Sequence, residues 1–67
     1  MGEVELTMEE VKVLREAAGG FVPKETAAKL GVRLPWVLYR RKRILAKLGV
    51  RTMEAACVVA MRRGIVR

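Results

Sequence analysis

The sequence contains no histidine, a single cysteine and no acidic residue between Gly31 and Arg51. One cysteine cannot form an internal disulfide, and without histidine a Cys/His zinc site cannot be assembled. No apolar run approaches the roughly 18–20 residues that a membrane span needs, and no signal peptide is visible. We therefore expect a soluble cytoplasmic protein that uses no metal, no cofactor and no small-molecule substrate.

The composition also argues against an enzyme and against disorder. The acids are scattered, and neither a glycine-rich phosphate loop nor a nucleophile–base pair can be assembled. A chain of 67 residues makes one domain with a small core, for which oligomerisation is a common support. With 52% hydrophobic residues it is too apolar for a disordered tail. Cys57 lies in an apolar helical pattern, which favours a core residue over a redox group.

Positive charge is concentrated in residues 31–51. These 21 residues carry seven of the 14 cations and no acid, whereas the rest of the chain carries seven cations and seven acids. This one stretch therefore accounts for the whole net charge of +7. The cations are Arg33, Arg40, Arg41, Lys42, Arg43, Lys47 and Arg51. Such a localised positive face is typical of a protein that binds a phosphate backbone.

Caps and turn residues predict an all-α, four-helix single domain, with helices over about residues 8–18, 23–30, 34–48 and 53–63. A capping box of Thr7 and Glu10 begins the first helix, and Thr52 caps the fourth. Pro23 and Pro35 suit the first turns of the second and third helices. Glycines end the helices, and no strand alternation, repeat or linker is present.

Helical spacing predicts which residues face the core. The expected inward or apolar positions are Val11, Leu14, Ala17 and Ala18 in the first helix, Ala27, Ala28 and Leu30 in the second, Val37, Ile44 and Leu48 in the third, and Met53, Ala56, Cys57, Ala60 and Met61 in the fourth. Ile65 and Val66 are expected to pack back on the domain. Arg40 and Arg41 are predicted to flank the stripe of the third helix with their charged heads in water. Glu25 is expected to pair with an arginine such as Arg40.

A short helix, a glycine-containing turn and a basic second helix form a helix-turn-helix, which lays its second helix in the DNA major groove. The order of residues resembles the LuxR-type (GerE-like) DNA-binding domain over nearly the whole chain. The matching residues are Leu6-Thr7, Glu10-Val11, Val13-Leu14, Gly20, Lys24-Glu25, Ala27, Leu30-Gly31-Val32, Val37, Ile44, Lys47-Leu48-Gly49-Val50, Ala60 and Arg62-Arg63-Gly64-Ile65.

The resemblance implies that the second and third helices read double-stranded DNA and that the fourth forms a dimer contact. Many members carry a receiver or sensing domain, which is not in this chain, so we expect a stand-alone regulator or an excised output domain. The chain departs from the family at three positions. The family usually has serine at Arg33 and threonine at Trp36, and often histidine at Arg40, so we expect its approach to the DNA backbone to differ.

Three residues of the third helix occupy the base-facing positions that the resemblance implies. Lys42 can donate to guanine O6 and N7, Leu38 can contact a thymine methyl group, and Tyr39 can hydrogen-bond phosphate or a base edge. The alternative is that Lys42 is a solvated surface lysine. For Leu38 and Tyr39, the alternative is packing on the first helix or on an attached domain.

Phosphate contacts are predicted for five residues, namely Lys24, Arg33, Trp36, Arg41 and Arg43. Arginine can bind phosphate through its guanidinium group. Trp36 is equally suited to packing and to a phosphate contact. The fourth helix carries a second apolar face, which favours a symmetric helix–helix contact over a cap on the monomer core. The predicted dimer residues are Ala55, Val58, Val59 and Arg62.

The leading hypothesis is a sequence-specific, dimeric, DNA-binding transcription regulator. The alternative is a protein-interaction module, because the same fold resembles region 4 of sigma factors, which also engages RNA polymerase. A basic amphipathic membrane binder fits less well, since a capped, turn-punctuated pattern is typical of a folded domain.

Overall fold

The computed structural model describes residues 5–66 and confirms the all-α, four-helix fold. The helices are α1 (Met8–Ala18), α2 (Pro23–Leu30), α3 (Leu34–Leu48) and α4 (Met53–Arg62). The first three have the predicted bounds, and α4 ends one residue earlier than predicted. Within this part of the chain, every helix falls short of the length and hydrophobicity that a membrane span requires.

The four helices begin in two different ways. The Thr7 hydroxyl accepts from the Glu10 amide at 3.1 Å and the Glu10 carboxylate accepts from the Thr7 amide at 3.0 Å, which confirms the capping box. Thr52 likewise accepts from the Ala55 amide at 3.1 Å. In contrast, α2 and α3 have no side-chain acceptor at the cap and carry a proline in the first turn. The fixed φ of proline favours helix initiation there without a cap.

The core lies around α3, which packs against all three other helices. Val37, Ile44 and Leu48 are buried, so the predicted inward stripe of α3 is confirmed. The full buried apolar set is Val13, Leu14, Ala27, Val37, Ile44, Leu48, Ala56, Ala60 and Val66. Burial of Val66 in the core cluster, with Ile65 packed against it, confirms that these two residues pack back on the domain.

The predicted stripe of α1 was wrong in part. Val13 is fully buried beside Leu14, whereas Ala18 is exposed and both Val11 and Ala17 are only half-buried. The physical reason is that α1 packs against α2, α3 and α4 at once, with more contact on α3 than on either of the others. The buried side of a helix that contacts several neighbours is set by their arrangement, which the spacing of apolar residues alone does not reveal.

Two further inward positions were wrong. In α2, Ala28 is exposed and Thr26 is buried in its place, with its hydroxyl unpaired among the described residues. In α4, Met61 is 61% exposed, whereas Ala56 and Ala60 form the buried line. Met61 follows Ala60 directly and therefore lies about 100° further around the helix, outside the buried line.

Candidate nucleic-acid interface

α2 and α3 are joined by a short turn that keeps them packed together. Gly31 ends α2 in the left-handed conformation (φ 70°), which favours glycine. The Val32 amide then donates to the Ala27 carbonyl at 3.0 Å, and the Val32 side chain packs against the core. The turn is thus tied to α2 on one side, and α3 begins directly after it at Leu34.

The solvent-facing surface of α3, called here the outward face, consists of six exposed residues at helical spacing. They are Pro35, Leu38, Tyr39, Lys42, Arg43 and Ala46. All three predicted base-reading residues belong to this face, and Leu38 and Tyr39 remain 48% and 56% exposed. A helix that displays apolar, aromatic and cationic groups side by side can contact both bases and phosphates.

Three of the predicted phosphate-binding residues have free charged groups. Lys24, Arg33 and Arg43 are exposed and form no ion pair with a carboxylate of residues 5–66. Arg33 is the N-cap residue of α3, and its side chain makes no cap hydrogen bond. Pro35 has no amide hydrogen and the Trp36 amide donates to the Arg33 carbonyl at 3.0 Å, so it is the guanidinium group that favours phosphate at this point.

The edge of α3 that faces α1 has the opposite character. Lys47 Nζ lies 2.7 Å from Glu10 Oε1 and Arg40 Nη1 lies 3.9 Å from Glu10 Oε2. Lys47 also donates to the Glu5 carbonyl at 3.3 Å. Glu10 itself is only 1% exposed, so these two cations are held by an internal acid. The structure therefore corrects the expected pairing of Arg40 with Glu25, whose carboxylate instead accepts from the Val22 amide at 2.9 Å.

The partners of Glu10 keep it ionised despite its burial. Burial alone raises the pKa of this carboxyl, but the hydrogen bonds from Lys47 and Thr7 and the charges of Lys47 and Arg40 outweigh that effect. The net pKa of Glu10 is lowered below its ordinary value. A buried, ionised acid beneath α3 thus ties the helix to the start of α1.

Trp36 and Tyr39 flank the same arginine. The guanidinium carbon of Arg40 lies 5.1 Å from the centroid of the Trp36 ring and 5.8 Å from that of Tyr39. Trp36 is half-buried and packs against the core, as the packing alternative predicted. Its phosphate contact stays a prediction. The arrangement links Glu10, through Arg40, to a residue of the outward face.

Arg41 lies away from the outward face. It shares the inward spacing of Val37, Ile44 and Leu48, it is half-buried, and it lines a cavity beside α4. Its Nη1 atom is buried without a hydrogen-bond partner among residues 5–66. The phosphate contact predicted for Arg41 stays a prediction, but its position does not contribute to the surface described above.

The predicted dimer residues of α4 divide into two pairs. Val58 and Arg62 are exposed, whereas Ala55 and Val59 are half-buried. Val59 packs partly against the core, which is what the monomer-cap alternative requires. Val58 and Met61 are both large, apolar and exposed, so the outer surface of α4 is more apolar than a lone domain needs.

Sequence reasoning recognised Glu10 only as a capping residue and missed its contacts with α3. The available signal was the excess of cations on one helix facing an acid-rich first helix, which does not identify the partners. It also missed Met61 as a surface residue of α4. No family model, curated protein or solved structure matches the chain.

Proposed function

We propose that the chain is a LuxR-like DNA-binding domain that places the outward face of α3 in the major groove of double-stranded DNA. The observation that carries this proposal is the set of exposed cations on and around α3. Lys42, Arg43 and Arg33 have no carboxylate partner within residues 5–66, although the same chain neutralises Arg40 and Lys47 internally. Cations that the protein leaves unpaired on one face favour a polyanionic partner.

The proposed contacts divide into two kinds. Arg33, Arg43 and Lys24 bind phosphate, because neutralising a phosphate makes weak geometric demands. Lys42 donates to guanine, while Leu38 and Tyr39 contact a thymine methyl group and a base edge or phosphate. The exposure of all three base-reading side chains on the outward face supports this assignment.

The proposed regulator is a cytoplasmic homodimer that pairs through α4. The adjacent exposed side chains of Val58 and Met61 support a two-fold contact in which each helix covers the other. A two-fold axis through α4 carries the two α3 helices to successive major grooves, about 34 Å apart. The DNA site would then be a dyad repeat.

DNA binding is tested by fluorescence anisotropy with a labelled random duplex between about 50 mM and 200 mM salt, where the electrostatic contribution changes most. We expect affinity to fall with a log–log slope of about −0.9 per phosphate contacted. Selection of bound sequences from a random pool should then yield a dyad repeat. No increase in the anisotropy of the labelled duplex at low salt would refute DNA binding.

The dimer contact is tested by sedimentation with Val58→Glu and with Val22→Glu as its matched control. Both valines are exposed, so the two variants introduce the same charge at comparable surface positions. Only Val58→Glu should shift the equilibrium toward monomer, because it adds a charge to the proposed interface. Equal behaviour of the two variants would contradict pairing through this surface.

A protein-interaction module remains the second candidate, with RNA polymerase or another regulator as its partner. Exposed Leu38 and Tyr39 beside half-buried Trp36 favour it, since aromatic and apolar side chains are enriched in protein interfaces. The random-duplex experiment separates the two candidates. A module that binds only protein should give no DNA complex even at low salt.

A further inference from the structure

A cavity lies on the side of the domain away from the outward face of α3. Its volume is about 420 Å³, within the usual range for small-molecule sites. The turn between α1 and α2 forms one wall, the first turns of α4 form another, and Arg41 of α3 lies between them. Most of the lining is apolar, including Ala18, Phe21, Val22 and Met53.

The rim of the cavity is held in place by contacts within the domain. The Lys29 ammonium group lies 3.7 Å from the centroid of the Phe21 ring and 3.2 Å from Glu16 Oε1. These contacts join α2 to α1 on either side of the turn. The aromatic wall is therefore formed before any ligand arrives, which reduces the ordering cost of binding.

Arg41 is the one cation among the described residues that line this cavity. It forms no ion pair within residues 5–66, and its buried Nη1 atom has no hydrogen-bond partner there. A buried donor without an acceptor is costly, and a cationic donor more so. Neither the core nor the outward face uses this guanidinium group, and its charge has no carboxylate partner within residues 5–66, so a carboxylate in the cavity would supply one.

We propose that this cavity binds a small monocarboxylate with an apolar tail, whose carboxylate is held by Arg41 and whose tail covers Phe21 and Val22. A single negative charge is favoured because Glu54 also lines the cavity and repels a second one. The thiol of Cys57 adds no charge, since burial raises its pKa despite the nearby Arg41. The apolar walls favour a hydrocarbon tail over a sugar or a phosphate.

The proposal does not depend on DNA binding, and its test contains no DNA. Amide NMR spectra are recorded while octanoate is added to the full chain, with octanol as a probe of equal tail length and no charge. We expect saturable shifts at cavity residues such as Ala17 and Cys57 and weaker binding of octanol by about tenfold, the contribution of a charge-assisted hydrogen bond.

Two variants and one control locate the site. Arg41→Gln should weaken octanoate binding by about tenfold or more, because it removes the cation. Ala18→Leu should also weaken it, since it fills the cavity while keeping every charge, and it serves if Arg41→Gln fails to fold. Lys42→Gln removes the neighbouring charge on the outward face and should leave octanoate affinity unchanged.

Three results would overturn the proposal. One is equal binding of octanol and octanoate, which would leave only non-specific apolar contact. Another is a set of shifts on the outward face of α3 that Lys42→Gln abolishes, because this would mean diffuse attraction to the basic surface. The third is no saturable shift at about 5 mM octanoate, above the range of a weak small-molecule complex.

Discussion

Lys42 and Lys47 lie on the same helix, yet their ammonium groups have opposite surroundings. Lys47 is 2.7 Å from the buried carboxylate of Glu10, whereas Lys42 is exposed without an ion pair in the described residues. Both count equally toward the net charge of the chain. The comparison shows that one edge of α3 uses its cations to hold the helix in the domain, and that the outward face leaves its cations available to a partner.

The largest expected effect comes from removing the acid that holds this edge. Glu10→Gln should destabilise the domain by roughly 2–3 kcal/mol, because a buried charge pair is lost, although the glutamine oxygen can still accept from the Thr7 amide. The estimate lies below the usual cost of breaking a buried pair, since the side chains of Lys47 and Arg40 are 19% and 27% exposed and can rehydrate. Thermal unfolding followed by circular dichroism measures this loss of stability, which should lower Tm by roughly 10–20 °C for a domain of this size.

Glu9→Gln is the matched control, because Glu9 carries the same charge in the same first turn but is exposed. It should change stability by no more than about 0.5 kcal/mol, as is usual at exposed positions. Comparable losses in the two variants would mean that Glu10 acts only through the helix dipole and not through its contacts with α3.

The next effect separates the two lysines directly. Lys42→Ala should leave folding almost unchanged but relax the DNA preference by roughly 1–3 kcal/mol at one base pair, if Lys42 reads guanine. Lys47→Gln should lower stability and leave DNA affinity near that of the unmodified chain at temperatures where both are folded. Anisotropy on the selected duplex and on random duplex measures the preference.

Equal losses on selected and random DNA for Lys42→Ala would exclude base reading and leave Lys42 as a phosphate contact. The salt slope should then fall by about 0.9. If folded Lys47→Gln lost as much DNA affinity as Lys42→Ala, this would contradict the division of α3 into an outward face and an edge that faces α1.

Acid should weaken the contact between Glu10 and the edge of α3 that faces α1, and so lower the free energy of unfolding. Because the folded-state pKa of Glu10 is lowered from its ordinary value of 4.5, its contribution to stability is complete above that value and is lost as pH falls through the lowered pKa. The difference in the free energy of unfolding between the unmodified chain and Glu10→Gln isolates the contribution of this group. When urea unfolding is measured at several pH values from about 7 to about 3, this difference in the free energy of unfolding should become smaller. A constant difference would show that the charge of Glu10 is irrelevant.

Much of the fold was predictable because local chemistry defines its boundaries. Thr7, Thr52 and Gly31 act through contacts within a few residues, so the helix bounds agreed with the prediction apart from one residue at the end of α4. The burial of Val13 in place of Val11 was not predictable in the same way. It depends on how α1 lies against three other helices, and that arrangement is a property of the tertiary structure.

The candidate site was predictable on its outer side and not on its inner one. Exposure of Leu38, Tyr39 and Lys42 follows from the apolar spacing of α3, which turns those positions toward solvent. The same spacing places Arg41 on the inward side, but a charged residue at such a position contradicts the ordinary rule for cores. Its surroundings depend on the turn after α1 and the start of α4, which lie far apart in sequence.

The smallest expected effect tests the link between the outward face of α3 and the edge of α3 that faces α1. Arg40 lies between Glu10 and the rings of Trp36 and Tyr39, so its planar group should restrain both rings. Arg40→Lys keeps the charge but loses the planar stacking, at a cost of about 0.5–1 kcal/mol. The chain has one tryptophan, so tryptophan fluorescence reports the surroundings of Trp36. We expect its emission and anisotropy to change in Arg40→Lys but not in Arg43→Lys, which makes the same change on the outward face. Unchanged emission in Arg40→Lys would mean that Trp36 is held by the core without the arginine, and that the outward face is independent of Glu10.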